Sequence, residues 1–203
     1  MHKEILNENQ RRLLLLLKDF KREFYLVGGT AIALHIGHRR SIDFDLFKGR
    51  PFTAAKILAK IQARNLEYTI TRNVPGQINM IIQNVKFTFF EYSFPVKAEV
   101  KFDDYIRMPT LLDLSAMKAY ALGRRAKWKD YVDMYFIIKN HYPLEQISDK
   151  ADEIFGELFS RKLFRAQLSY FEDVDYSEPV EYIVPAVNDN EIKSFLVDKA
   201  VDF

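Results

Sequence analysis

The chain has 203 residues, 48% of them hydrophobic, which is enough to bury one substantial core or a medium core plus a helical lobe. It contains no cysteine, which excludes a disulfide framework and a thiolate zinc site and is consistent with a reducing compartment. The net charge is +2, so any nucleic-acid contact must come from a local patch. The start lacks a signal-peptide pattern and no apolar run is long enough to span a bilayer, so we expect a soluble, cytoplasmic protein without membrane contact.

Hydrophobic periodicity predicts a mixed α/β first half and a helical second half. The first-half elements, in chain order, are a helix over residues 3–22, a strand at 24–27, a helix at 30–36 ending at Gly37, a strand at 42–47, a helix at 53–64, strands at 66–72, 77–83 and 85–92, and an extended piece at 96–102. The second-half helices are predicted at 111–124, 128–140, 145–159 and 161–172, with a short one at 191–199. This layout predicts an α+β fold with an α/β domain over residues 1–107 and a helical domain over 108–203 that completes the active site.

Two segments of the first half carry residue types that nucleotide chemistry needs. Gly28-Gly29-Thr30 opens a predicted helix, where glycine lets the backbone approach a phosphate and the free N–H groups point at it. Asp43 and Asp45 lie two apart on a strand, so both project from one face, about 6–7 Å apart, and can share magnesium. Each segment alone is explained by a solvated turn or an edge strand. Their order, with thirteen residues between Gly29 and Asp43, favours a triphosphate site.

The run from Gly28 to Phe47 resembles the signature of the AbiEii/AbiGii-type nucleotidyltransferases of the DNA polymerase β-like superfamily, many of which are toxins of toxin–antitoxin pairs. The similarity resumes at 113–118 and 129–135 and reaches weakly to 168–173. The resemblance implies a mixed sheet with flanking helices, followed by a C-terminal helical bundle. It also implies Mg²⁺-dependent transfer of an NMP group from an NTP to an acceptor hydroxyl, on a tRNA 3′ end or a protein, and suggests a cognate antitoxin as partner.

The resemblance also implies roles for individual residues. Asp43 and Asp45 would bind the metal, and Lys118 would contact the triphosphate. Asp130 would act at the active site, by preparing the acceptor hydroxyl, and Asp133 would orient its neighbours from one helical turn later. The nucleotide-binding set is Gly28, Gly29, Thr30, Arg39, Arg40 and Lys118, in which the two arginines are included for their position between the glycines and the acids.

Several of these residues have simpler explanations. Lys118 could be a solvated helix lysine, and Asp130 and Asp133 could be helix N-terminal acids that favour the dipole. Arg39 and Arg40 could belong to a surface loop. Five basic residues fall within twelve positions and could guide an RNA acceptor, although such runs are usually solvated faces; they are Lys118, Arg124, Arg125, Lys127 and Lys129.

One departure from the superfamily concerns its third carboxylate, which usually comes from a strand beside the aspartate pair. Thr88 stands about where that acid is expected, and Glu91, an odd number of residues away, would face the opposite side of a regular strand. Glu99 and Asp103 are further candidates. The missing acid favours one alternative, a binding protein that keeps the transferase fold with little or no activity. A further alternative, within the enzymes, is a transferase acting on small molecules.

Overall fold

The computed structural model describes residues 1–122 and 124–202, which divide into two compact units after Thr110. The first unit has a 3-10 turn at Lys3–Ile5 and eleven further elements, which are α1 (Glu8–Arg12), α2 (Leu14–Phe20), β1 (Tyr25–Val27), α3 (Gly28–Ile36), β2 (Phe44–Lys48), α4 (Ala54–Gln62), β3 (Tyr68–Val74), β4 (Gln77–Ile82), β5 (Val85–Glu91), β6 (Val100–Phe102) and β7 (Ile106–Met108). The order and type of these elements confirm the α+β fold class.

A five-stranded mixed sheet forms the centre of the first unit. Its strand order is β1-β2-β5-β4-β3, with β2 and β5 parallel and the other neighbours antiparallel. Two-residue turns join β3 to β4 and β4 to β5. At the second of these turns Gln83 and Asn84 both have positive φ, which matches the right-handed twist of a hairpin. A separate hairpin pairs β6 with β7, a three-residue strand too short for periodicity to reveal.

One face of the sheet, here called the inner face, carries the core. Phe44, Phe87 and Phe89 are completely buried on it, and Phe20 of α2 packs edge-on against Phe89 with 4.8 Å between ring centroids. Burying a phenylalanine side chain stabilises a fold by about 1.5–3 kcal/mol. The opposite, outer face carries the residues that alternate with these, among them Asp45 and Thr88.

The predicted helix over residues 3–22 is wrong in its continuity, because the segment forms a 3-10 turn and two short helices. Asn7 and Gln10 form a capping box that starts α1 inside the predicted helix. The chain then turns at Leu13, whose ψ is 1°, before α2 begins. A local polar signal therefore divides a segment whose apolar spacing looked continuous.

The second unit is helical, as predicted. Its elements are α5 (Leu111–Leu122), α6 (Trp128–Asn140), α7 (Leu144–Phe155), a 3-10 turn at Gly156–Leu158, α8 (Arg161–Leu168) and α9 (Asp189–Val201). The predicted end of the first of these helices at 124 crosses Gly123, which lies outside the described residues, and α9 is longer than expected at both ends. Among the residues that the structure describes, no helix is long and apolar enough to cross a membrane.

Candidate active site

The glycine turn and Asp45 are in direct contact. Val27 pairs with Asp45 across β1 and β2, and Gly28, the next residue, has φ of +73° and begins α3 two residues earlier than predicted. A Cβ atom added to Gly28 would lie 2.2 Å from Asp45 Oδ2, so only glycine leaves room for this carboxylate. The N-cap residue is the apolar Val27, which provides no side-chain cap for the free N–H groups of the first turn.

Asp43 is positioned through its backbone. The Thr30 hydroxyl donates to the Asp43 carbonyl oxygen and lies 3.0 Å from Ser41 Oγ, and the Gln10 side chain donates to the Ser41 carbonyl oxygen at 2.8 Å. Thr30 is 1% exposed. The Thr30 hydroxyl therefore makes hydrogen bonds within the protein. The backbone N–H of Thr30 is the group that can donate to a phosphate. Sequence reasoning missed Ser41 and Gln10, because no local pattern marks a contact across 31 residues.

The two predicted arginines lie in different surroundings. Arg39 is buried, and its guanidinium packs against the glycine turn, where a Cβ on Gly29 would lie 2.7 Å from Arg39 Nη2. Arg40 instead donates to the carbonyl oxygen of Glu4 in the N-terminal 3-10 turn. The structure thus brings Arg39 to the turn and directs Arg40 toward the N-terminal segment.

Of the two aspartates predicted on one strand, Asp45 lies within β2, and Asp43 precedes it. Strand β2 begins at Phe44, two residues later than predicted, and Ile42 lies outside it with half of its surface exposed. Asp45 pairs in register with Thr88 of β5, so a threonine occupies the position beside this aspartate. Glu91 pairs with Lys48, on the inner-face side of the same strands.

The donor set fits a hard cation held jointly by protein and substrate. Asp43 and Asp45 supply two carboxylates, and no cluster of three or more histidine, aspartate or glutamate side chains suited to a metal occurs within residues 1–122 and 124–202. Mg²⁺ in nucleotide enzymes is usually bound by one or two carboxylates, with phosphate oxygens and water completing six ligands. The Asp45 carboxylate beside the glycine turn, together with that of Asp43 two residues earlier, matches that ligand type.

The second unit buries three charged residues that pair with one another, and an exposed arginine joins them. Lys118 Nζ on α5 contacts Asp130 at 2.5 Å and Asp133 at 2.8 Å, both on α6, and Arg125 Nε lies 3.1 Å from the second Asp130 oxygen. Lys118 and Asp130 are each 5% exposed by side chain, and Asp133 is completely buried. The site residues predicted in this unit therefore lie together in one ion-paired cluster. The alternative in which Lys118 is a solvated helix lysine is excluded.

Comparison with known proteins identifies the family. The family model described as "Nucleotidyl transferase AbiEii toxin, Type IV TA system" matches residues 12–115. The chain belongs to the AbiEii family of nucleotidyltransferase toxins. A protein of Aquifex aeolicus strain VF5, described as the uncharacterised protein aq_aa25, is 30% identical over 156 residues, covering 74% of this chain and 75% of that protein.

Solved structures share the fold of this AbiEii-family protein at low sequence identity. The nucleotidyltransferase toxin MenT4 (Rv2826c) of Mycobacterium tuberculosis H37Rv has a TM-score of 0.64 and 13% identity over 95% of this chain and 80% of its own. A candidate nucleotidyltransferase from H. pylori has a TM-score of 0.62 and 16% identity, over 96% of this chain and 94% of its own. These structures confirm the predicted nucleotidyltransferase fold, and the family assignment confirms the predicted enzyme class.

The predicted basic patch of this AbiEii-family protein is largely neutralised inside the second unit. Lys127 and Lys129 both pair with Glu178, and Arg125 pairs with Asp130. Lys118 is buried. Four of the five basic residues therefore contact acidic side chains within the second unit.

We expect Asp133→Ala to lower the free energy of unfolding by about 3 kcal/mol, because it removes one partner of a fully desolvated lysine. Asp149→Ala is the matched control: Asp149 pairs with Arg161 at the surface, with 63% of its side chain exposed, so its loss should cost at most about 1 kcal/mol. Urea-unfolding midpoints measure both. Equal shifts for the two variants would contradict the assignment of Asp133 as a partner that the buried cluster requires.

Proposed function

We propose that this protein transfers an NMP group from an NTP to the hydroxyl of an acceptor in a Mg²⁺-dependent reaction, and that it acts as the toxin of a toxin–antitoxin pair with a cognate antitoxin as partner. The observation that carries the proposal is the contact between the Asp45 carboxylate and Gly28 at the open N-terminus of α3. That contact brings a metal ligand and a phosphate cradle together. The family assignment supports the reaction class.

The first turn of α3 would bind the β and γ phosphates of the donor. The backbone N–H groups of Gly28, Gly29 and Thr30 belong to the first four of the helix, which have no intrahelical acceptor and lie at the positive end of the dipole. The Arg39 guanidinium beside Gly29 adds positive charge at the same place. These groups would hold the pyrophosphate portion before and after transfer.

Asp43 and Asp45 would hold Mg²⁺, which when bound neutralises phosphate charge and makes the α-phosphorus easier to attack. In the reaction, a bond forms between the acceptor oxygen and the α-phosphorus while the bond from that phosphorus to the bridging oxygen breaks. Pyrophosphate leaves and the acceptor proton passes to a base. The residues of this chain bind and orient the donor so that attacking and leaving oxygens lie in line.

Lys118, Asp130 and Asp133 enter the proposal as an ion-paired group. Lys118 contacts two carboxylates within this cluster, and its ammonium group would contact the triphosphate in the proposed reaction. Asp133, completely buried, would position Lys118, and Asp130 would act at the active site, by preparing the acceptor hydroxyl. These roles extend the family's pattern to this chain.

We expect radioactive label from an α-labelled NTP to become attached to an acceptor, while label from the γ-labelled NTP leaves as pyrophosphate. The assay incubates the protein with each of the four NTPs, Mg²⁺ and either total RNA or cell lysate. Transfer of γ label would indicate a kinase and contradict the proposal. EDTA should abolish the transfer, and a labelled product of low molecular mass would instead identify a small-molecule acceptor.

A binding protein that keeps this fold is the second candidate, and it is favoured by Thr88 in place of a third carboxylate. Calorimetry distinguishes the transferase from the binding protein, because a transferase with this site should bind an NTP much more tightly with Mg²⁺ than without it. Binding that ignores Mg²⁺, together with no label transfer, would favour the binding protein.

A further inference from the structure

Lys86 lies on the outer face of β5, the strand that pairs with β2. Side chains alternate along β5, so exposed Lys86 shares the outer face with Thr88, while the two neighbours of Lys86 in the chain are buried. Thr88 pairs in register with Asp45. Lys86 is therefore the diagonal neighbour of Asp45, displaced from Thr88 by two residues, or about 6–7 Å, along the strand.

Strand directions place Lys86 on the same side of Asp45 as the glycine turn. Strands β2 and β5 are parallel, so Lys86, which precedes Thr88, lies toward the start of both strands. Strand β1 is antiparallel to β2, so Gly28, which follows the Asp45 partner Val27, also lies toward the start of β2. The strands that lead to the turn and to Lys86 flank β2 on opposite sides, about 10 Å apart.

The positive charge of Lys86 has no acidic partner in the protein. At the paired positions of the outer face, the charged residues are Asp45, Lys86 and Arg72. The outer-face neighbours of Lys86 on β4 and β5 are the uncharged Ile81 and Thr88. Lys86 makes no ion pair within the part of the chain that the structure describes. Its ammonium group is therefore available to a negatively charged ligand that lies beside Asp45.

The threonine at position 88 leaves this cation available. A carboxylate there would lie two residues from Lys86 on the same face of β5, close enough to attract its ammonium group. Thr88 carries no charge, so the outer face beside Asp45 has less negative charge and an unpaired positive charge. Both differences favour the binding of phosphate.

We propose that the Lys86 ammonium group binds the α-phosphate of the donor NTP. This inference rests on the proposed function and adds a residue of β5 to the donor site. With the β and γ phosphates at the glycine turn, the triphosphate passes Asp45 and brings its α-phosphate toward β5. As the bond from the α-phosphorus to the bridging oxygen breaks, the ammonium group stabilises negative charge on the non-bridging oxygens of that phosphorus.

The test measures binding by calorimetry for two ligands, each with Mg²⁺. One is an NTP analogue that resists cleavage between the α and β phosphates, and the other is inorganic pyrophosphate, which has no α-phosphate. The variants are Lys86→Met, which keeps the length of the side chain without its charge, and Lys86→Arg, which keeps the charge. Lys56→Met makes the same change at an exposed position of α4 and serves as the control. Thermal unfolding establishes that each variant is folded.

We expect Lys86→Met to bind the analogue about 10- to 100-fold more weakly, as for the loss of a hydrogen bond between charged groups, and to bind pyrophosphate like the wild type. Label transfer by Lys86→Met should fall by about 10²-fold. Lys86→Arg should retain most of the affinity for the analogue, and Lys56→Met should match the wild type. Unchanged affinity of Lys86→Met for the analogue would overturn the proposal. An equal loss of affinity for pyrophosphate would also overturn it, by assigning Lys86 to the β and γ phosphates.

Failure of the proposed function gives a different pattern from failure of this inference. A wild-type protein that transfers no label from any NTP contradicts the proposed function itself, and the affinities for the analogue still decide the role of Lys86. Normal transfer by Lys86→Met, with unchanged affinity for the analogue, would keep the transferase and overturn only the role of Lys86. A wild-type protein that binds neither the analogue nor pyrophosphate would overturn both.

Discussion

Asp45→Asn should reduce label transfer by about 10³-fold or more while leaving the fold intact. The substitution keeps the size of the side chain beside Gly28 but removes a charged metal ligand, and several kcal/mol of charge stabilisation in the transition state are lost with it. Initial rates with saturating Mg²⁺-NTP measure the effect, and circular dichroism establishes that the variant is folded.

Glu91→Gln is the matched control for the loss of a carboxylate near the site. Glu91 lies on strand β5, next to β2, but its register with Lys48 places it on the inner-face side, away from Asp45. We expect its rate to stay within about twofold of wild type, as for a group that does not contact the reacting atoms. A large loss of transfer rate in Glu91→Gln and a small loss in Asp45→Asn would contradict the role proposed for Asp45 and assign it to Glu91.

Gly28→Ala should abolish transfer and also destabilise the first unit. An alanine at φ of +73° costs about 1–3 kcal/mol, and its Cβ would lie 2.2 Å from Asp45 Oδ2, so the carboxylate must move. Both the phosphate cradle and the metal ligand are therefore disturbed by one methyl group. Transfer rate and the urea-unfolding midpoint measure the two effects.

Gly156→Ala is the control that separates the cost of backbone strain at positive φ from the clash between an added Cβ atom and the Asp45 carboxylate. Gly156 also has positive φ, 54°, but no atom lies within 4 Å of an added Cβ. We expect a loss of stability similar to the strain contribution at Gly28, with transfer unchanged. If Gly28→Ala lost no more activity than Gly156→Ala, the contact between the turn and Asp45 would have no functional importance.

Most of the fold was predictable because its signals are local. Alternation around Asp45 and the glycines that open α3 depend on residues close in sequence, and the structure places Gly28 against Asp45. The helices of the second half follow from their 3.6-residue period, and α6 occupies its predicted residues, 128–140.

The remaining features depend on contacts between distant residues. Gln10 reaches the Ser41 carbonyl oxygen, and strand register sets Thr88 beside Asp45; neither follows from a local pattern. Lys118, predicted by resemblance as a phosphate contact, is revealed as an ion-pair partner only when α5 and α6 pack together.

A crystal structure with Mn²⁺ and an NTP analogue that resists cleavage between the α and β phosphates would test the central geometry most directly. The account predicts an anomalous peak bound by both Asp43 and Asp45, with the β and γ phosphates against the backbone N–H groups of residues 28–30. A metal bound away from that pair, or phosphates held away from the glycine turn, would contradict it.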